Sequence, residues 1–331
     1  MFKKILTNYL LIWLTLACAL GCYWNKIFGE NAFNPFHIQN STISANLMSS
    51  LIALTMLAVG SLLPAKEVKE VAKRWYKTLA GTAVQYVSMP LLAYCVAKGL
   101  GLEGAAFAGV ILAGCVPGAM ASNVLTLTAR GNVSYSVGLT TSATLLSPLV
   151  VPFTLGLCLR QQAQLPFDKI MLNLLLTVVL PVCVGFALAQ FSTRWRKGAN
   201  RFAEILANLT IIWIIASAVS ANVGRATDLS ARLFVALIVL NLGGYLAGYF
   251  GGWAIGLNEG MRRALTIEVG MQNAGLGTAL ATKFFPDQPE TSLFCACYSF
   301  GCMFTGIILA LAFRRFSREE ESNADSTETQ A

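Results

Sequence analysis

The chain has 331 residues, of which 56% are AVILMFWYC and only 12% are charged, with a mean hydropathy of +0.62. A soluble domain needs roughly 25% Asp, Glu, Lys and Arg to cover its surface, so composition excludes one and points to an all-α polytopic membrane protein. One His, 16 carboxylates and nine Cys scattered through apolar segments, with neither C-x-x-C nor Cys/His spacing, exclude a zinc site and a disulfide framework.

An ionised side chain at the bilayer centre costs about 2.5–3.5 kcal/mol, and about 20 apolar residues cover the hydrocarbon, so charge-free windows mark the spans. In chain order they run 5–25, 38–65, 78–97, 104–129, 131–159, 170–193, 205–224, 233–258, an interrupted window 264–282, and 291–313. Ten transmembrane helices follow. The first window, behind Lys3-Lys4 and reaching Ala19-Leu20-Gly21-Cys22, also has the outline of a signal peptide with a weak lipoprotein cleavage site. Its apolar run continues to Trp24, and cleavage would leave nine spans.

Lys and Arg collect on the side of a membrane that is not translocated. Of the 24, seventeen fall on the side of Lys3, Lys77, Arg130, Arg196, Arg262 and Arg314, and seven on the side of Lys26, Lys98, Arg160, Lys169, Arg225, Arg232 and Lys283. Both termini are therefore expected in the cytoplasm, with the protein integral to the cell (inner) membrane. The net charge of +8 reflects this topology and contact with anionic lipid, not nucleic acid. A transmembrane unit over 1–316 is expected to end in a disordered cytoplasmic tail, 317–331, rich in Glu, Ser, Thr and Asn. The lone His37 lies in a loop and is given no role.

Ten spans divide into two five-helix halves, about 1–160 and 165–316, and an odd number per half makes them inverted repeats. In such transporters a shared irregularity marks the substrate and ion site. Span 4 carries Pro117-Gly118 within Gly114-Cys115-Val116-Pro117-Gly118-Ala119-Met120-Ala121-Ser122-Asn123, and span 9 carries Glu268-Val269-Gly270-Met271-Gln272-Asn273-Ala274-Gly275-Leu276-Gly277. Proline removes a backbone donor and glycine tolerates unusual dihedrals, so both helices should be discontinuous. Unpaired backbone at that depth is tolerable only where it lines a cavity or binds something. Gly243-Gly244 and Gly251-Gly252 in span 8 are read as close helix packing.

Glu268 is the only carboxylate inside any span, and apart from Arg130 at the cytoplasmic end of span 4 no Lys or Arg is available to it. An intramembrane acid is functional by default. Its natural partner is a bound cation. Oxygen donors are plentiful: Ser122 and Asn123 at the first break, Gln272 and Asn273 at the second, and Ser136 with Thr140, which share a face of span 5 at i and i+4. Hard cations select such oxygens, and the set describes a sodium site. Thr126, Thr128, Thr141, Ser142 and Thr144 are read as hydroxyls bonding back to their own helices. Gln85 in span 3 is either a ligand or an interhelical hydrogen bond.

The sequence resembles the bile acid:sodium symporter family, within the wider bile/arsenite/riboflavin transporter group. The resemblance is carried by Pro117 to Val124, Ala129-Arg130-Gly131-Asn132-Val133 leading to Ser136 and Thr140, Ser147-Pro148, Glu268 to Asn273, and Gln85 to Pro90, and it extends to about residue 313. It implies a panel domain of spans 1, 2, 6 and 7 and a core domain of spans 3–5 and 8–10 in which the discontinuous helices 4 and 9 cross. It further implies two sodium ions, the first held by Ser122, Asn123, Ser136, Thr140 and Glu268. The second would be held by Gln85, Glu268, Gln272 and the carbonyls of Val269 and Met271. Asn273 would face the substrate cavity. Where some bile-acid-binding bacterial relatives have a polar His-Asn pair in span 10, this chain has Cys302-Met303, implying a more apolar substrate pocket.

The expectation is thus a sodium-coupled secondary symporter importing an organic anion by alternating access. The cargo would be a small carboxylate such as pyruvate or a pantothenate-related acid, or a bile-acid-like carboxylate or sulfonate; the sequence sets neither the cargo nor the oligomeric state. Proton coupling through Glu268 and a non-transporting membrane sensor are the rival readings. An enzyme is not expected: aspartyl proteolysis needs two intramembrane Asp, rhomboid-type chemistry an intramembrane His, and no Walker motif serves ATP-driven pumping.

Overall fold

In the computed structural model, residues 10–29, 33–36, 41–65, 73, 75–160, 165–224 and 230–328 are described, the last twelve as backbone only. His37 lies outside them. In chain order the helices are α1 Leu10–Phe28, α2 Ser41–Leu62, α3 Trp75–Gly99, α4 Gly104–Cys115, α5 Ala121–Thr128 and α6 Val133–Leu159. They continue with α7 Phe167–Phe191, α8 Thr193–Ala221, α9 Ala231–Ala254, α10 Glu259–Gly270, α11 Ala274–Phe284 and α12 Glu290–Glu328. Among the described residues, eight of these are long and apolar enough to cross a membrane. The exceptions are α4, α5, α10 and α11, which form two pairs, each interrupted where the sequence predicts a break. The fold is all-helical and that of an integral membrane protein.

Lipid contact explains which faces are apolar. On α6, Leu145, Leu149, Phe153 and Leu157 recur every four residues and are exposed, while Ser136, Thr140, Ala143, Ser147 and Val151 on the other side are buried. This is a helix with its hydrophobic stripe outward and its polar residues inward, as a membrane solvent requires. Pro148 removes the amide that would bond the Thr144 carbonyl, and Ser147 Oγ donates to that carbonyl instead, at 2.7 Å. In α7 a π-helical turn, Leu175–Val179, widens the helix just before Pro181.

Asparagine side chains start three of the helices around the breaks. Asn132, Asn258 and Asn273 accept from the backbone N–H of Tyr135, Met261 and Leu276, capping α6, α10 and α11. Packing groups α1, α2, α7 and α8 with one another, and α10 with α9, α9 with α3, and α12 with α11 and α4. Gly244 fulfils the packing role expected of it: a Cβ there would lie 2.8 Å from Met89 Sδ and 3.1 Å from Gly270 Cα, so α9 and α10 meet nearly backbone to backbone. The backbone of 317–328 continues α12 as helix, carried on from the preceding turns, which already nucleate it.

Candidate functional site

The two breaks lie side by side. α4 stops at Cys115 and α5 begins at Ala121; α10 stops at Gly270 and α11 begins at Ala274. Between them Gly118 and Gln272 form an antiparallel bridge, in which Ala119 N–H donates to the Met271 carbonyl and Asn273 N–H to the Pro117 carbonyl, both at 2.8 Å. Each unwound segment thus supplies backbone partners for the other. Buried backbone groups must be paired, so neither break would be tolerable at this depth without its counterpart.

Glu268, the buried acid, sits one turn before the second break. Its carboxylate accepts hydrogen bonds from Ser122 Oγ at 2.5 Å and Thr140 Oγ1 at 2.7 Å. It is fully buried, and among the described residues no Lys or Arg pairs with it. Gly118 makes room for it: a Cβ on Gly118 would overlap Glu268 Oε1. Beside this group, Thr126 Oγ1 donates to Ser136 Oγ at 3.2 Å, with both residues fully buried. The Asn123 side-chain oxygen is buried with no hydrogen-bond partner.

On the other side of the bridge, Gln85 Nε2 donates to Gln272 Oε1 at 3.2 Å, and Gln272 Nε2 to the Val269 carbonyl at 2.6 Å. The Gln85 side-chain oxygen is likewise buried and unpartnered. The Val269 and Met271 carbonyls each accept one hydrogen bond, leaving a second lone pair on each oxygen. A carbonyl or amide oxygen without a donor is costly in a low-dielectric interior, and a hard cation is what such oxygens suit.

A cavity of about 80 Å³ opens against the same crossover. Gly118, Asn123, Thr140 and Asn273 of the crossover helices and α6 line it together with Met56, Val59, Leu63, Pro64 and Val182.

The profile of the sodium bile acid symporter family matches residues 49–228. The chain belongs to this family. Its relatives include the uncharacterized sodium-dependent transporter YocS of Bacillus subtilis, 29% identical over 96% of this chain and 94% of that protein. The probable sodium/metabolite cotransporter BASS1 of the Arabidopsis thaliana chloroplast is 31% identical over 92% of this chain and 73% of its own length. The ileal sodium/bile acid cotransporter of Oryctolagus cuniculus is 26% identical over 88% of each. All three are named as transporters, in agreement with the expectation of a transporter and not an enzyme.

For this family member the structure brings Ser122, Thr140 and Glu268 into direct contact and joins Gln85 to Gln272, and Gln272 to the Val269 carbonyl. Ser136 stands behind Thr140, whose hydroxyl also lies 3.1 Å from the Ser136 carbonyl. Asn273 lines the cavity while its side-chain oxygen caps α11. Cys302 and Met303 do not line it. Cys302 is buried with its thiol against the Ser299 carbonyl, and Met303 packs beside two apolar clusters. Thr126, read as back-bonded, instead reaches across to Ser136, a cross-helix pairing that no spacing within one span reveals. Thr128 does bond back, to Val124, as expected of it. Thr141 and Thr144 line the cavity.

Proposed function

We propose that the chain is a sodium-coupled symporter that imports a small organic anion by alternating access. One observation carries the reading: Glu268 is a buried carboxylate with no basic partner among the described residues, and at the same crossover two buried amide oxygens, Asn123 Oδ1 and Gln85 Oε1, lack any donor. Neutral oxygens with one negative charge form a donor set that fits an alkali cation, whereas a proton on the carboxyl would supply a single donor and leave at least one amide oxygen unpaired. The first ion takes Ser122, Asn123, Ser136, Thr140 and Glu268. The second takes Gln85, Glu268, Gln272 and the carbonyls of Val269 and Met271. Glu268 belongs to both sets, so occupancy of one favours the geometry of the other.

In this reading each interrupted pair, α4 with α5 and α10 with α11, forms one span, giving ten spans as two inverted repeats with both termini in the cytoplasm of an inner membrane. Helices α1, α2, α7 and α8 are the panel and the rest the core. The cavity between Met56 and Val182 of the panel and Asn273 of the core supports a substrate site there. Its volume, about 80 Å³, falls below the roughly 300–1,000 Å³ of drug-sized pockets and favours a small carboxylate over a steroid. Sodium draws the crossover together, the N-terminal amides of α5 and α11 offer donors to the anion, and the core moves against the panel.

The test is uptake of a labelled small carboxylate such as pyruvate or pantothenate, or of taurocholate, into proteoliposomes. Uptake driven by an inward sodium gradient supports the reading. Uptake driven by a pH gradient with sodium absent, or specific binding of all three without flux, contradicts it.

A further inference from the structure

The end of α10 carries a polar assembly that neither sodium set includes. The last carbonyls of any helix have no intrahelical donor. At this end Met271 N–H bonds back to the Ile267 carbonyl at 3.0 Å and the Gln272 side chain takes the Val269 carbonyl. The Gly270 carbonyl, by contrast, accepts two side-chain hydrogen bonds from two other helices, from Asn241 Nδ2 of α9 at 2.8 Å and from Tyr298 OH of α12 at 2.9 Å. Asn241 and Tyr298 are almost completely buried, at 2% and 1% exposure.

The orientation of the Asn241 amide follows from chemistry. A carbonyl only accepts, so the Asn241 NH₂ must face Gly270 and its oxygen must face away. That oxygen accepts from Thr305 Oγ1 at 2.6 Å, and Tyr245 OH lies 3.1 Å from the same threonine hydroxyl. Gly270 stands between Val269 and Met271, whose carbonyls turn to the crossover, where Gln272 and Ala119 meet them. Fixing the peptide at 270 from behind therefore fixes the rotation of the peptides on either side of it.

We propose that Asn241, Tyr298 and Thr305 are positioning residues for sodium: by clamping the Gly270 carbonyl from the α9 and α12 side, they hold Glu268 and the Val269 and Met271 oxygens at the spacing an ion requires. This rests on the sodium reading above. Buried polar networks of this kind specify one arrangement when every member is satisfied. A clamp drawn from α9 and α12 also ties the ion site to the two helices that brace α10.

The experiment uses the purified full chain, with its melting temperature followed as sodium chloride replaces choline chloride at constant ionic strength. The readout is the sodium concentration giving half the thermal shift, since a ligand stabilises according to its occupancy of the folded form. Asn241→Leu and Tyr298→Phe should each raise that concentration about fivefold to tenfold, the equivalent of one hydrogen bond. Thr305→Val should raise it less, and Thr305→Ser should restore it. As a control, Ser220→Ala removes a buried hydroxyl bond to the Gly21 carbonyl between α8 and α1; it should lower the sodium-free melting temperature without moving the half-saturation. Where Asn241→Leu does not fold, Tyr298→Phe carries the test. Unchanged half-saturation in Tyr298→Phe, or an equal shift in Ser220→Ala, overturns the proposal. A wild-type chain that sodium and choline stabilise alike refutes the sodium reading itself, and needs no variant to be seen.

Discussion

Replacing Gly118 with alanine places one methyl group where the Glu268 carboxylate lies. The added carbon would overlap Oε1 and stand 2.7 Å from Cδ, whereas carbon atoms rest about 3.5–4.0 Å apart. The carboxylate must retreat by about 1 Å to relieve that contact. Its bonds from Ser122, at 2.5 Å, and Thr140, at 2.7 Å, would then stretch past useful length. Hydrogen bonds to a charged group are worth about 1.5–3 kcal/mol each, so losing one weakens sodium binding by about tenfold or more, and losing both by well over a hundredfold. The assay is the sodium dependence of the melting temperature of Gly118→Ala against choline. Gly156→Ala serves as the comparison: a Cβ there meets nothing within 4 Å, and alanine favours the helix by about 0.5–1 kcal/mol. Its half-saturation should equal that of the wild type. Equal half-saturation in Gly118→Ala would refute the reasoning, because the carboxylate could then move without consequence for the ion.

Four other outcomes follow from the same geometry. Glu268→Gln keeps the shape of the side chain and removes its charge, and should abolish both the sodium-dependent thermal shift and sodium-driven uptake; retention of either contradicts the assignment. Gln85→Leu should lower the steepness of the sodium dependence of uptake toward that of a single ion, while leaving a response through the first ligand set. Thr126→Val removes the 3.2 Å bond to Ser136 and should raise the half-saturating sodium concentration by about fivefold, read in the same titration. At the N-terminal end of α10, burial alone would raise the Glu259 carboxyl pKa, but hydrogen bonds from Arg263 and Arg262 outweigh it and hold the group below the usual carboxylate range. A depressed folded-state pKa contributes stability that is present above the ordinary carboxylate pKa and lost as pH falls through the folded value. Melting temperatures recorded from neutral to acidic pH should therefore fall less for Glu259→Gln than for the wild type.

Much of the site is legible in the sequence because its chemistry conflicts with its surroundings. Pro117 and Gly118 in one apolar window and Glu268, Gln272 and Asn273 in another are expensive in hydrocarbon, so their presence alone marks the breaks, and α4, α5, α10 and α11 stop and start within those motifs. The pairing of the breaks through Gly118 and Gln272 is a matter of tertiary register that no local pattern encodes. The Gly270 clamp was hidden for a related reason: Asn241 and Tyr298 are 29 and 28 residues from their target, and Thr305 is 64 from Asn241. A single Asn, Tyr or Thr in an apolar span is commonplace, and only their convergence on one carbonyl distinguishes them. Thr126 was misread because a threonine four residues after Ser122 has a local carbonyl within reach, and the competing partner lies on another helix. Cys302, buried, and Met303, partly buried against two apolar clusters, are not among the residues that line the cavity.

Direct binding of radiolabelled sodium to the purified full chain, displaced by unlabelled sodium and not by choline, tests the central claim without reference to any cargo. Saturable binding in the wild type that disappears in Glu268→Gln is the predicted result. Saturable binding of equal strength in both proteins, or none in the wild type, would contradict an ion held between the two helix breaks by that carboxylate.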